Sequence, residues 1–256
     1  MNLKITLTAT TILLLVVAAY FTFIFQHSPV LFPKHQRAGR IVFYTENPDL
    51  HDNYGQIEQK RLMAFYEAVE QNLRTSTMYD STSFEATVYF TKSKQLHRSY
   101  SFFLSSANSF CLWKINGNIY MYEPFLCVEL ETRIVETLSH ELTHKMLLDQ
   151  LGKAKYGKIP KWLMEGYCEF VAKNDLNIST LQHNMHKTKY IDGTFQKTLY
   201  HYDNYLLAVC YLLIYEKHGI EQLFNAPPDY EEVLKKIEKW NFTPHNTLKI
   251  RNKSFV

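Results

Sequence analysis

The hydrophobic pattern of the chain changes its period about halfway along, and this change restricts the folds that the chain can adopt. In the first half, the apolar run at 41–45 is rich in β-branched and aromatic residues, and the side chains from Phe84 to Phe90 alternate between apolar and polar. Both patterns are typical of strands. From about 131 onwards, apolar residues recur at helical spacing instead. A strand-rich half followed by a helical half predicts an α+β domain.

Two further signals define the elements within these halves. Asn116-Gly117 lies between two apolar runs, and this dipeptide favours a β-hairpin because both residues tolerate positive φ. Leu62, Val69 and Leu73 follow helical spacing, so a helix is expected between the first two strands. Later helices are predicted at about 131–149, 161–173, 203–218 and 229–240, the last opening at Asp229.

The amino-terminal region contains an apolar stretch at 5–25 without a charged side chain. A helix of this length, at ~1.5 Å per residue, spans the ~30 Å hydrocarbon core of a bilayer. The stretch predicts a transmembrane helix after a tail at 1–4, followed by a juxtamembrane linker at 26–40 and one domain at 41–256. A cleaved signal peptide is the alternative, which the large side chains downstream disfavour. We expect a single-pass membrane protein whose domain faces the periplasm or the extracellular side.

Charge and cysteine content argue against two classes of function. The net charge is +3 with Lys, Asp and Glu interspersed, so no basic stripe indicates a nucleic-acid partner. The four cysteines form no CxxC pair, which argues against a thiolate zinc site and a redox motif. Cys111 and Cys127 flank the predicted hairpin, and a disulfide between them stays open.

The helix predicted at 131–149 contains the residues with the clearest chemistry. His140 and His144 are four residues apart, so they project from one face and can bind one metal ion. Glu141 is rotated around the helix, where it can act as a general base instead of a ligand. A catalytic zinc site needs a third protein ligand. The next predicted helix offers two carboxylates four residues apart, Glu165 and Glu169.

These two segments resemble the gluzincin clan of zinc metallopeptidases, which includes thermolysin, the zinc aminopeptidases and the small minigluzincins. The similarity consists of His140-Glu141-x-x-His144 followed by Trp162-Leu163-Met164-Glu165-Gly166. It implies a zincin-like fold in which Zn²⁺ is bound by His140, His144 and Glu165, with Glu141 as the catalytic base.

The resemblance also implies an activity, the hydrolysis of peptide bonds by a zinc-activated water. The GxMEN motif with which the aminopeptidases bind a free amino terminus is absent, so we expect an endopeptidase. A strand at about Asn118–Tyr122 resembles the clan's edge strand and is expected to pair with an extended peptide or protein substrate.

Relatives stabilise the developing oxyanion with a downstream tyrosine or histidine. We select Tyr202 for this role from a cluster that comprises Tyr200, His201, Tyr202 and Tyr205. Glu169 is expected to accept a hydrogen bond from a zinc-bound imidazole, and the alternative is an exposed surface charge. His183 and His186 are assigned no role. Two other functions stay open, namely a noncatalytic zinc-stabilised binding or assembly module and a metallohydrolase acting on a substrate other than protein.

Overall fold

The protein combines a mixed five-stranded sheet with a set of helices that follows it along the chain, and its architecture is α+β. The computed structural model describes residues 10–20, 34–45, 55–91, 93–100, 109–112, 117–122, 131–173, 176, 178–188 and 194–239. The strands are β1 (Lys34–Ala38), β2 (Ile41–Thr45), β3 (Ala86–Thr91), β4 (Ser109–Cys111) and β5 (Ile119–Tyr122).

The strand order is β1-β2-β3-β5-β4, with parallel pairing in the centre and antiparallel pairing at both edges. The predicted hairpin is confirmed, since β4 and β5 pair antiparallel and Gly117 has the positive φ of 71° that the turn requires. The predicted edge strand at about Asn118–Tyr122 is wrong, because β5 is paired on both sides. The edge strand is β4. At the opposite edge, β1 is formed by residues that the sequence had assigned to the linker at 26–40.

The helices occupy most of the remaining described chain. They are α1 at 10–20, α2 (Gly55–Leu73), α3 (Lys94–Tyr100), α4 (Glu131–Tyr156), α5 (Lys161–Ala172), α6 (Ile178–Thr188), α7 (Thr194–Cys210), α8 (Ile220–Asn225) and α9 (Tyr230–Glu238). A π-helical turn, Tyr211–Tyr215, continues α7. Gly152 interrupts α4 with φ 71° and ψ 158°, close to the predicted end of this helix. The predicted cap of α9 is confirmed, since the Asp229 carboxylate accepts a hydrogen bond from the Glu232 backbone N–H.

The predicted transmembrane helix at 5–25 is wrong. Across the ranges given above, the structure contains no helix with both the length and the apolar character needed to cross a membrane. Of the stretch at 5–25, the structure describes 10–20 as the helix α1, and the remainder lies outside the described residues. The single-pass membrane location that was derived from this stretch is wrong for the same reason. At the end of α1, the Tyr20 hydroxyl donates a hydrogen bond to the Ser99 carbonyl oxygen on α3 at 3.1 Å.

A buried asparagine connects three helices around the centre of the domain. The side-chain amide of Asn72 on α2 donates to Ser139 Oγ on α4 at 3.1 Å and to the Ala172 carbonyl oxygen on α5 at 2.9 Å. Asn72 and Ser139 are completely buried. Leaving a buried donor unpaired costs about 1–3 kcal/mol, so these bonds favour one relative position of the helices. They therefore fix α4 and α5 against each other.

A glycine allows α5 and α7 to approach closely. A Cβ atom at Gly166 would lie 2.4 Å from the Tyr205 carbonyl oxygen and 2.8 Å from Val209 Cγ2. The first of these neighbours is backbone, which can only move together with α7. Glycine is therefore required here for the observed distance between the two helices.

We expect the substitution Gly166→Ala to lower the free energy of unfolding by about 1–3 kcal/mol, because the added methyl group overpacks the contact between α5 and α7. Chemical denaturation of the purified variants measures this change. Gly219→Ala is the matched control, since a Cβ atom there meets no atom within 4 Å and the backbone φ is −74°. Wild-type stability in Gly166→Ala would contradict the close approach.

Candidate metal centre

The helix α4 carries His140, Glu141 and His144 into a cleft because its opposite side is anchored in the core. Leu138, Leu142 and Leu147 are completely buried. The spacing of four residues then directs the two imidazoles to the same side, where the His140 and His144 Nε2 atoms lie 3.1 Å apart.

The helix α5 brings a carboxylate to the same point. Glu165 Oε2 lies 3.2 Å from His140 Nε2 and 3.4 Å from His144 Nε2. In a tetrahedral zinc site with bonds of about 2.05 Å, two ligand atoms are separated by roughly 3.3 Å. The three distances in this triangle, together with two nitrogen donors and one oxygen donor, fit a zinc ion.

The second nitrogen of each imidazole also has a neighbour. His140 Nδ1 lies 3.0 Å from Glu169 Oε1, although its N–H direction departs from regular hydrogen-bond geometry. His144 Nδ1 lies 2.9 Å from the Tyr156 hydroxyl and 3.3 Å from Cys168 Sγ. A metal ion on Nε2 requires the proton on Nδ1, and at His144 the Tyr156 hydroxyl oxygen and Cys168 Sγ lie within hydrogen-bond distance of that N–H.

Cys168 offers a competing donor set. The candidate ligand atoms of His140, His144 and Cys168 all lie within 4.8 Å of one another. However, Cys168 Sγ approaches Nδ1 of His144, whereas His140 and Glu165 approach Nε2. One imidazole cannot direct both nitrogens at the same ion. The geometry therefore favours Glu165 as the third ligand, while Cys168 lies beside Nδ1 of the His144 ring.

The carboxylates of the centre are held in the ionised form by their basic neighbours. Burial alone would raise the pKa of Glu169, but His140 and Lys173 lower it to about 2. Burial opposes ionisation of Glu165 as well, and its contacts with His140 and His144 bring its pKa below the usual range. Burial would lower the pKa of His140, yet Glu165 and Glu169 raise it well above its ordinary value. Ionised carboxylates beside imidazoles favour a cation, either a proton or a metal ion.

Glu141 is buried, and it lines one cavity together with the two imidazoles and the strand β4. Its Oε1 atom accepts a hydrogen bond of 2.9 Å from Ser109 Oγ at the start of β4. Two cavities of about 310 and 230 Å³ meet here and have four lining residues in common, which are Ser109, His140, Glu141 and Tyr202. Glu141 therefore lies at the centre of a cleft that extends in two directions.

Tyr202 on α7 lines both cavities, and its ring centroid lies 6.2 Å from that of His140. Burial, with the nearby carboxylates of Glu165 and Glu141, raises the pKa of Tyr202, so its hydroxyl is protonated at neutral pH and can donate a hydrogen bond. Tyr205, from the same predicted cluster, packs against Tyr230 instead. His201 is exposed, and the side chain of Tyr200 lies outside the described residues.

Four residues of the centre were missed by the sequence analysis: Ser109, Tyr156, Lys173 and Asp203. Lys173 follows Glu169 at the spacing of an ion pair on a helix, a signal that was available. Tyr156 had no such signal, because it reaches His144 through the break at Gly152.

Two other sequence hypotheses lie away from this centre. His183 is exposed on α6, and the side chain of His186 lies outside the described residues. Cys111 is a free thiol, while Cys127 also lies outside the described residues.

Comparison with known proteins adds no assignment, since no protein-family model matches the chain and no curated protein gives a significant match.

We expect Glu165→Gln to weaken zinc binding by at least about 100-fold, because it removes an anionic ligand, whereas Cys168→Ala should change it less than about 3-fold. Competitive chelator titration of the reconstituted protein measures both, with about one zinc ion bound per wild-type chain. The opposite ranking, or a thiolate-to-metal charge-transfer band after substitution with Co²⁺, would identify Cys168 as the ligand.

Proposed function

We propose that this chain is a zinc-dependent peptidase in which His140, His144 and Glu165 bind the ion. The observation that supports this proposal best is the triangle of donor atoms, with separations of 3.1, 3.2 and 3.4 Å. The resemblance of the two helical segments to the gluzincin clan points to the same chemistry.

Glu141 is proposed as the general base. A zinc ion supplies Lewis-acid chemistry, because it lowers the pKa of bound water toward ~7 and polarises a carbonyl oxygen. Glu141 accepts a proton from the attacking water and returns it to the leaving amide nitrogen when the C–N bond breaks. The hydrogen bond from Ser109 leaves the second oxygen of the Glu141 carboxylate for this transfer and restricts its rotation.

Tyr202 is proposed to stabilise the negative charge that develops on the substrate oxygen. It lines both cavities from α7, as Ser109 does from β4. Its protonated hydroxyl can donate to that oxygen without a change in its own ionisation. The proposed base and donor therefore belong to two different helices, α4 and α7, that line the same cavities.

The cleft favours an extended peptide as the substrate. It follows β4, the edge strand, whose outer backbone groups can pair with an added strand. One cavity extends from Glu141 toward Lys173 and Asp203, and the other toward Met164 and Tyr156. A peptide bound across Glu141 thus has residues on both sides of the cleaved bond, which supports internal cleavage.

We expect Glu141→Gln to retain zinc affinity and to reduce turnover by roughly 10²–10⁴-fold, because it removes the base and leaves the ligands. The assay uses internally quenched peptides with blocked ends, with zinc affinity measured in parallel. Glu221→Gln, on the exposed first turn of α8, is the matched control. Absence of turnover in the zinc-loaded wild type would favour a noncatalytic zinc-stabilised module, and cleavage only of peptides with a free amino terminus would contradict internal cleavage.

We expect Ser109→Ala to reduce kcat by about 10-fold, since a hydrogen bond to a charged group is worth about 1.5–3 kcal/mol and part of it is replaced by water. Zinc affinity should stay unchanged, because Ser109 contacts the base. Ser109→Thr keeps the hydroxyl on a residue that strands favour, and it should restore most of the activity. Equal kcat values for the alanine variant and the wild type would remove Ser109 from the mechanism.

A further inference from the structure

We infer that Lys173 and Asp203 are positioning residues of the metal centre. Lys173 holds the Glu169 carboxylate beside His140 Nδ1, the ring nitrogen that faces away from the proposed ion. This inference rests on the proposed function, because it assigns a role relative to the bound ion. It concerns two residues that line the larger of the two cavities, Lys173 at the end of α5 and Asp203 on α7.

The contacts form a continuous series from α4 through α5 to α7. His140 Nδ1 lies 3.0 Å from Glu169 Oε1, and the other oxygen of this carboxylate, Oε2, lies 3.2 Å from Lys173 Nζ. Lys173 Nζ also lies 3.7 Å from Asp203 Oδ1. Glu169 thus uses its two oxygens for two different partners. A carboxylate held from both sides in this way cannot rotate away from the imidazole.

The backbone strengthens this arrangement at the end of α5. Lys173 caps the helix in an extended conformation, and its backbone N–H donates to the Glu169 carbonyl oxygen at 3.0 Å. Backbone and side chain of Lys173 therefore both bind Glu169. The backbone bond places Lys173 four residues after Glu169 on the same side of the helix, from which its ammonium group reaches the carboxylate.

Partial burial makes these ion pairs stronger than typical surface pairs. The side chains are 19% exposed at Glu169, 28% at Lys173 and 24% at Asp203. Exposed pairs contribute little to stability because water and salt screen them, whereas shielded charges keep more of their attraction. Replacing Lys173 would remove the ammonium group that contacts the second oxygen of the Glu169 carboxylate.

Asp203 extends the effect to the other side of the cleft. It follows Tyr202 directly on α7, so the contact with Lys173 connects the end of α5 to the segment that carries the proposed oxyanion donor. The same lysine therefore orients a metal ligand through Glu169 and restrains the position of α7 through Asp203.

A double-mutant cycle on zinc affinity tests this inference. The variants are Lys173→Met, Glu169→Gln and their combination, and competitive chelator titration of the full chain gives the dissociation constants. Lys173→Met should weaken zinc binding by about 10-fold, the lower end of the cost of losing an outer partner of a ligand. In the Glu169→Gln background the same change should cost less than about 2-fold, because Lys173 acts through Glu169.

Three further variants serve as rescue and controls. Lys173→Arg keeps the cation and should restore zinc affinity to within about 3-fold of the wild type. Asp203→Asn should weaken zinc binding in the same direction as Lys173→Met, and it keeps the test valid where the methionine variant fails to fold. Lys236→Met removes a lysine paired with Glu216 away from the centre, and it should leave zinc affinity unchanged.

Unchanged zinc affinity in Lys173→Met and Asp203→Asn would overturn the inference, as would equal effects of Lys173→Met with and without Glu169. The cycle is measured on binding alone, so its outcome is separate from peptide turnover. A non-additive cycle in a protein that cleaves no peptide would support the positioning role and overturn the proposed activity. A wild-type chain that binds no zinc would overturn both.

Discussion

The contact between α4 and α5 is the interaction on which the candidate centre depends. Each helix alone carries one part of the donor set, two imidazoles on α4 and one carboxylate on α5. Asn72 fixes their relative position by donating to both helices from α2, and the absence of a side chain at Gly166 lets α7 close against α5. This packing brings the two Nε2 atoms and Glu165 Oε2 to similar distances from one another. The three candidate donors among the described residues therefore all lie on helices, and the packing of these helices sets the distances between them.

The sequence predicted the parts of this protein that depend on local periodicity. The strand at 41–45, the hairpin at Gly117 and the boundaries of α5 follow from patterns within a few residues. The separation of His140 and His144 likewise needs only the helical repeat. The order of the strands could not be predicted in this way, because it depends on long-range pairing, and β4 took the edge position that had been expected for β5. The apolar composition at 5–25 predicted a membrane span, whereas the described residues contain no helix that is long and apolar enough for one.

The partners of the imidazoles were predictable to different degrees. Glu169 was expected near a ligand from its spacing to Glu165, and it lies beside His140. The partner of His144 depends on the backbone at Gly152, where a positive φ changes the direction of the chain. Beyond this break, the Tyr156 hydroxyl lies beside the His144 imidazole. A glycine near the end of a helix signals a break but does not indicate which later side chain comes back. Partners that are placed by such a break can be identified only from the three-dimensional structure.

The hydrogen bond from Asn72 to Ala172 joins residues 100 positions apart. Contacts of such sequence separation form late during folding, because a long segment must be ordered before they contribute any stability. The donor triangle depends on the same packing, so its ligands converge only after both halves of the chain have assembled. During synthesis, the donor triangle therefore cannot form until α5, which carries Glu165, has been made. Under the proposed function, ion binding would then require both halves of the folded domain, and a truncated chain ending before α5 would contain the histidines without Glu165.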